Sequence, residues 1–151
     1  MTADLRQLYQ EVVIDHGRRP RGFRALEDAT RTAEGQNPSC GDALTLYVRL
    51  VNGVIEDISF LGVGCAISRA SASLMVSAVK GRSAAEALAL FGQVHAMLTD
   101  GPPGPDELAE MDKLAALSGV WEFPMRVKCA TLAWHALRDV LAATGERAPT
   151  E

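Results

Sequence analysis

Leu44-Thr45-Leu46-Tyr47-Val48-Arg49-Leu50, followed by Val51 and the dipeptide Asn52-Gly53, decides the fold of this chain. Leu44, Leu46, Val48 and Leu50 alternate with Thr45, Tyr47 and Arg49, the two-residue period of a strand with one buried face. Asn-Gly supplies most readily the two positive φ angles of a type I′ turn, so Val54 to Leu61 is expected to return as the partner strand. Cys40 and Asp42 precede one arm of this hairpin, and Gly62-Val63-Gly64-Cys65 follows the other. A hairpin brings its two ends together, which makes Cys40, Asp42 and Cys65 candidate neighbours.

Working outward, Leu5, Leu8, Tyr9, Val12 and Val13 mark an amphipathic helix ending near His16-Gly17. Ala29 to Gln36 offers a further strand. Ala66 to Val79, rich in Ala, Ser and Met, reads as a helix stopped at Lys80-Gly81. Ser83-Ala84-Ala85-Glu86 is a capping box, opening a helix whose Leu88, Phe91, Val94 and Leu98 share a face. Gly101-Pro102-Pro103-Gly104-Pro105 interrupts the chain before a short helix over roughly 106–117. A last helix runs from Pro124 to about Thr144 with Gly145 as its C-terminal cap, and Cys129, Leu132, Ala136 and Val140 form its inner stripe. This order predicts an α+β fold: a small antiparallel sheet of about three strands with about five helices packed on it. One domain over 1–145 with a flexible tail over 146–151 is expected. Neither a phosphate-binding glycine loop nor a nucleophile elbow occurs, which removes the commonest nucleotide and hydrolase readings.

Composition narrows the function classes. A formal net charge of −4 leaves no basic excess for displacing counterions from nucleic acid. The cluster Arg18-Arg19-Pro20-Arg21-Gly22-Phe23-Arg24 is the local exception, a solvated connector or a patch for a protein partner. No apolar run reaches the roughly 18 residues of a membrane span. Met1-Thr2-Ala3-Asp4 leads straight into the amphipathic pattern without signal-peptide character, so a cytoplasmic location is expected.

The chain has three cysteines, an odd number that disfavours a closed disulfide framework. In a reducing compartment such thiols are more often ligands or nucleophiles. Cys40, Cys65 and Cys129 with Asp42 would supply three soft donors and one hard one, enough for a tetrahedral zinc site. Cys65 and Cys129 both fall near expected helix N-termini, where a thiolate is favoured, and Arg126 and Lys128 add positive charge beside Cys129. Cysteines are also often small buried apolar residues, and their spacing here matches no C-x-x-C ribbon, so pattern alone leaves both readings open. His95 and His135 read as partly solvated, Asp139 and Glu110 as solvated helix faces, and Trp121 and Trp134 as packing residues.

Leu8-Tyr9 through His16, Asn37-Pro38-Ser39-Cys40-Gly41-Asp42, Gly62-Val63-Gly64-Cys65-Ala66-Ile67-Ser68-Arg69-Ala70-Ser71-Ala72-Ser73 and Arg126-Val127-Lys128-Cys129-Ala130-Thr131-Leu132 together closely resemble the U-type iron–sulfur cluster assembly proteins, the family of IscU, SufU and the NifU N-terminal domain. The resemblance implies a SufE/IscU-like fold. IscU-type scaffolds carry a histidine immediately before the third cysteine, where this chain has Lys128. That departure, with the longer stretch between the second and third cysteines, resembles the zinc-dependent SufU branch. The resemblance then implies zinc on Cys40, Asp42, Cys65 and Cys129, with Arg126 assisting the Cys40 thiolate. It implies a SufS-type cysteine desulfurase as partner and iron–sulfur assembly machinery downstream. Cys40 would accept persulfide sulfur once a histidine of the desulfurase replaced it on the metal. The alternative implied is a scaffold holding a [2Fe–2S] cluster or iron on the same residues.

Overall fold

Asn52 and Gly53 turn the chain with φ of 51° and 78°, both in the left-handed region that a type I′ turn requires. The turn joins β2 (Asp42–Val51) to β3 (Val54–Val63) as an antiparallel pair, and β1 (Arg31–Asn37) adds antiparallel to the other edge of β2. The computed structural model describes residues 3–37 and 41–142. Leu44, Leu46 and Val48 of β2 all point into the core, as their alternation requires.

On β3 the buried apolar residues are Ile55, Ile58 and Phe60, a spacing that a regular strand cannot place on one face. The register explains it. Arg49 faces Asp57 and Leu50 faces Ile55, so Glu56 is an extra residue that shifts the side-chain parity by one. The bulge returns Ile55 to the core side and leaves Glu56 exposed.

Helix α1 (Ala3–Arg18) packs against α2 (Ala66–Val79), and α2 packs against α5 (Pro124–Leu141). α5 lies on β1 and β2, while α3 (Ala84–Asp100) covers its other side. Every residue of α5 from Cys129 to Leu137 is buried, the mark of a helix enclosed on most sides rather than one floating on a sheet. Trp134, Phe60, Leu46, Ile58, Leu74 and Leu137 form the centre of the core. Full burial of each such aliphatic or aromatic side chain is worth about 1.5–3 kcal/mol. The architecture is α+β, as expected.

The capping box at Ser83 is present: its hydroxyl accepts from the Glu86 N–H, and the Glu86 carboxylate accepts from the Ser83 N–H, each at 3.1 Å. Several expectations are corrected. α1 runs to Arg18, one residue past the expected end near His16-Gly17. The buried stripe of α3 is Ala87, Val94, Met97 and Leu98, with Leu88 exposed, because α3 packs along one side only. The helix expected over 106–117 splits into α4 (Pro105–Glu110) and a 3-10 helix (Asp112–Leu117). Asp112 has φ 53°, which stops the α-helical ladder between them. His135 and the Asp139 side chain are buried, not solvated, because α3 covers that face of α5. Trp121 is half-exposed and covers Gly101. The expected cap at Gly145 and the tail over 146–151 lie outside the described residues. Among the described residues no helix is long and apolar enough to cross a membrane.

Candidate metal centre

Asp42 is the first residue of β2, and Ala43 pairs with Val63, the last residue of β3. The hairpin therefore places Asp42 beside the Gly64-Cys65 connection into α2. Cys65 is the N-cap of α2, with extended backbone at φ −72° and ψ 169°. Its N–H donates to Oδ1 of Asp42 at 3.0 Å, so the carboxylate closes the loop between strand and helix. The Ser68 hydroxyl donates to the Cys65 carbonyl at 3.0 Å and pins the same turn from the other side.

Gly64 is required here by close approach. A Cβ at this position would collide with the Ser68 hydroxyl and with the Asp42 carboxylate. Absence of a side chain is what lets Asp42 reach the cysteine end of the loop.

Cys129 arrives from a distant part of the chain. It is the sixth residue of α5, buried, with its thiol directed at the Met125 carbonyl one turn back at 3.6 Å. It lies near the N-terminus of α5, as expected, but past the first turn, to which the pull of the helix dipole is largely confined. The docking of α5 against α2 brings it to Cys65. One donor atom from each of Asp42, Cys65 and Cys129 lies within 4.8 Å of the others.

These three donors suit a metal ion. With Zn–S of about 2.3 Å and Zn–O or Zn–N of about 2.0 Å, a tetrahedron has edges of about 3.3–3.8 Å, so a small closure suffices. Burial pushes the Cys65 thiol pKa up, but the N–H groups of Ser68 and Ile67 and the Cys129 thiol outweigh it. The net direction is below the ordinary thiol value despite the opposing charge of Asp42, which favours the ligating thiolate. Asp42 and Cys129 are buried and Cys65 is half-buried, so the group is approached from the Cys65 side. Val63, two residues before Cys65, and Phe123 and Met125, on the segment leading into Cys129, are exposed apolar residues.

Of the residues singled out in the sequence, Asp42, Cys65 and Cys129 come together. Cys40 lies outside the described residues. Arg126 is exposed on the first turn of α5, and among the described residues no hydrogen bond or ion pair joins it to the three donors. Gly64 and Ser68 complete the site without having been singled out. Their sequence signals were the Gly-x-Gly run before Cys65, for Gly64, and the family-like stretch from Gly62 to Ser73, which contains both.

Known proteins match nearly the whole chain. The family model described as NifU-like N terminal domain matches residues 8–130. The iron–sulfur cluster assembly scaffold protein IscU of Streptococcus pyogenes serotype M1 is 42% identical over 137 residues, 91% of this chain and 84% of that protein. The zinc-dependent sulfurtransferase SufU of Bacillus subtilis is 39% identical over 140 residues, 93% of each chain. A crystal structure of a candidate iron–sulfur cluster assembly scaffold protein for the SUF system, from Fervidobacterium islandicum AW-1, superposes with a TM-score of 0.76 at 32% identity. It covers 89% of this chain and 97% of that one.

Proposed function

This chain belongs to the NifU-like N-terminal domain family, and from that premise we propose that it is a zinc-dependent sulfur acceptor in iron–sulfur cluster assembly. The observation that carries the reading is the gathering of Asp42, Cys65 and Cys129 into one donor group open on the Cys65 side. In this reading Cys40 is the fourth donor and the labile one. Zinc would hold the cysteine sulfurs as thiolates at neutral pH. The donor is a cysteine persulfide on a SufS-type desulfurase. The Cys40 thiolate attacks its outer sulfur, a new S–S bond forms on Cys40, and the old S–S bond breaks. The enzyme's cysteine leaves as a thiolate, so the exchange is redox-neutral. Arg126 steadies the anionic sulfur of Cys40. The exposed apolar residues Val63, Phe123 and Met125 suit the approach of a protein rather than a small molecule.

A scaffold holding a [2Fe–2S] cluster is the second reading, favoured by the similarity to the Streptococcus pyogenes scaffold protein. Lys128 favours sulfur transfer, because an ammonium group immediately before Cys129 has donors and no lone pair for a metal.

Desulfurase turnover with and without the zinc-loaded protein separates the two, with Cys40→Ala as control. Stimulation that disappears in Cys40→Ala supports transfer through that thiol. No stimulation, with an iron–sulfur absorption spectrum after anaerobic reconstitution, moves the assignment to the scaffold.

A further inference from the structure

The hydroxyl of Ser71 lies wholly buried between α2 and α5, where it makes two hydrogen bonds across the helix interface. It donates to the Ala130 carbonyl at 2.6 Å and accepts the indole N–H of Trp134 at 3.1 Å. Serine inside a helix usually bonds back to its own helix, as Ser77 does with the Ser73 carbonyl at 3.0 Å. Ser71 instead reaches the neighbouring helix, and it does so at the residue peptide-bonded to Cys129. Ser71 itself rides on the helix that Cys65 caps, six residues on and about 9 Å along the axis.

The two bonds fix a register. Slipping α5 by one residue moves it about 1.5 Å and rotates its contact face by about 100°. Such a slip would break both bonds and strand the Trp134 N–H in the core, where it has no water to turn to. The apolar contacts of α2 with α5 are non-directional and do not carry that restriction. Resting on the metal-centre reading above, we propose that Ser71 is a positioning residue: its Ala130–Trp134 tie sets the placement of Cys129 against Cys65 and so the geometry of the donor group.

Ser73 supplies an internal control. It is as buried as Ser71 and also bonds across an interface, but to α1 and the segment after it, through His16 Nδ1 at 2.6 Å and the Arg21 N–H at 2.8 Å. Loss of either hydroxyl leaves buried partners unsatisfied and lowers stability. Only loss of Ser71 should reach the metal.

Zinc affinity of the full chain is measured by competition with a chromophoric chelator, and the cobalt-substituted protein is followed by its ligand-field absorption. Ser71→Ala is expected to lower zinc affinity by about tenfold or more, the range for residues that orient ligands, and to shift the cobalt bands. Ser73→Ala is expected to lower Tm while leaving affinity within about twofold. Wild-type affinity and an unchanged cobalt spectrum in Ser71→Ala would overturn the proposal, as would an equal loss in Ser73→Ala. Should Ser71→Ala not fold, Trp134→Phe decides: it removes one bond of the tie, and unchanged affinity and spectrum overturn the proposal. A wild-type protein that binds zinc no better than a Cys65→Ser/Cys129→Ser variant ends the metal-centre reading and this inference together. Zinc binding without sulfur transfer ends only the functional reading.

Discussion

Asp42 accepts the backbone N–H of Cys65 through Oδ1 at 3.0 Å, so one carboxylate both closes the strand-to-helix connection and belongs to the donor group. The two roles separate by substitution. Asp42→Asn keeps an oxygen acceptor for the N–H but gives up the charge that a metal ion requires. Asp42→Ala removes both. The metal-free Ala variant should lose about 1 kcal/mol of stability, a typical net hydrogen bond, and the Asn variant much less. Both should bind zinc at least about tenfold more weakly. Denaturant unfolding of the apo proteins, paired with chelator competition, reads the two effects. Equal zinc affinity in wild type and Asn variant would remove Asp42 from the ligand set.

Gly64→Ala tests the space rather than the ligands. Its methyl group would collide with the Asp42 carboxylate and the Ser68 hydroxyl, and one of them must move. The expected cost is about 1–3 kcal/mol of stability, typical of overpacking, with a parallel loss of metal affinity because the Asp42 carboxylate, one of the two groups in the way, is a donor. Gly41, whose Cβ would meet nothing within 4 Å, gives no such collision, although its φ of 72° strains any replacement. A Gly64→Ala protein with wild-type zinc affinity would show that the loop adapts without cost to the site.

Local pattern made half of this site legible. The alternation from Leu44 to Leu50 and the Asn52-Gly53 turn dictate a hairpin, and a hairpin dictates that Asp42 meets Cys65. The bulge at Glu56 was less visible, since a single extra residue changes parity without breaking the strand's composition. Cys129 could not be placed from local pattern. It lies 64 residues from Cys65 and joins it through helix packing, which no turn chemistry encodes. His135 and Asp139 were misread for a related reason: a single helix stripe does not show that α3 covers the opposite side of α5. The resemblance to a known family supplied the long-range grouping, and the packing of α5 on α2 gives it a physical basis.

His16 gives the fold a pH dependence whose direction follows from its surroundings. His16 Nδ1 and the Ser73 hydroxyl share a buried hydrogen bond at 2.6 Å, and the same hydroxyl accepts the Arg21 N–H at 2.8 Å. Burial, together with the charges of Arg21 and Lys113, holds the His16 pKa below its ordinary value against the pull of Asp15. The unfolded chain therefore binds more protons than the folded one as pH falls below about 6.5. Stability conferred by His16 is present above that pH and is lost progressively down through the lower folded-state pKa. His16→Gln cannot titrate. The stability difference between wild type and His16→Gln, measured on the metal-free proteins by urea unfolding, should shrink from pH 7.5 to pH 5.5. A difference that stays constant or grows over that range would contradict a neutral buried His16.

Metal removal reads the whole donor group at once. A ligand that binds only the folded state stabilises it by RT ln(1 + [L]/Kd), about 2.7 kcal/mol when free ligand is at one hundred times Kd. For a chain of 151 residues that is a Tm rise on the order of 5–10 °C. Chelation should abolish the rise in wild type and change nothing in Cys65→Ser/Cys129→Ser. Cys40→Ala is the informative intermediate. Asp42, Cys65 and Cys129 are held by a strand end and two packed helices, so three donors remain in place without Cys40. Its metal-free Tm should match wild type, and zinc should still raise it, by less. A Cys40→Ala protein that is unstable even without metal would make the thiol structural, and the transfer of sulfur through it would lose its basis.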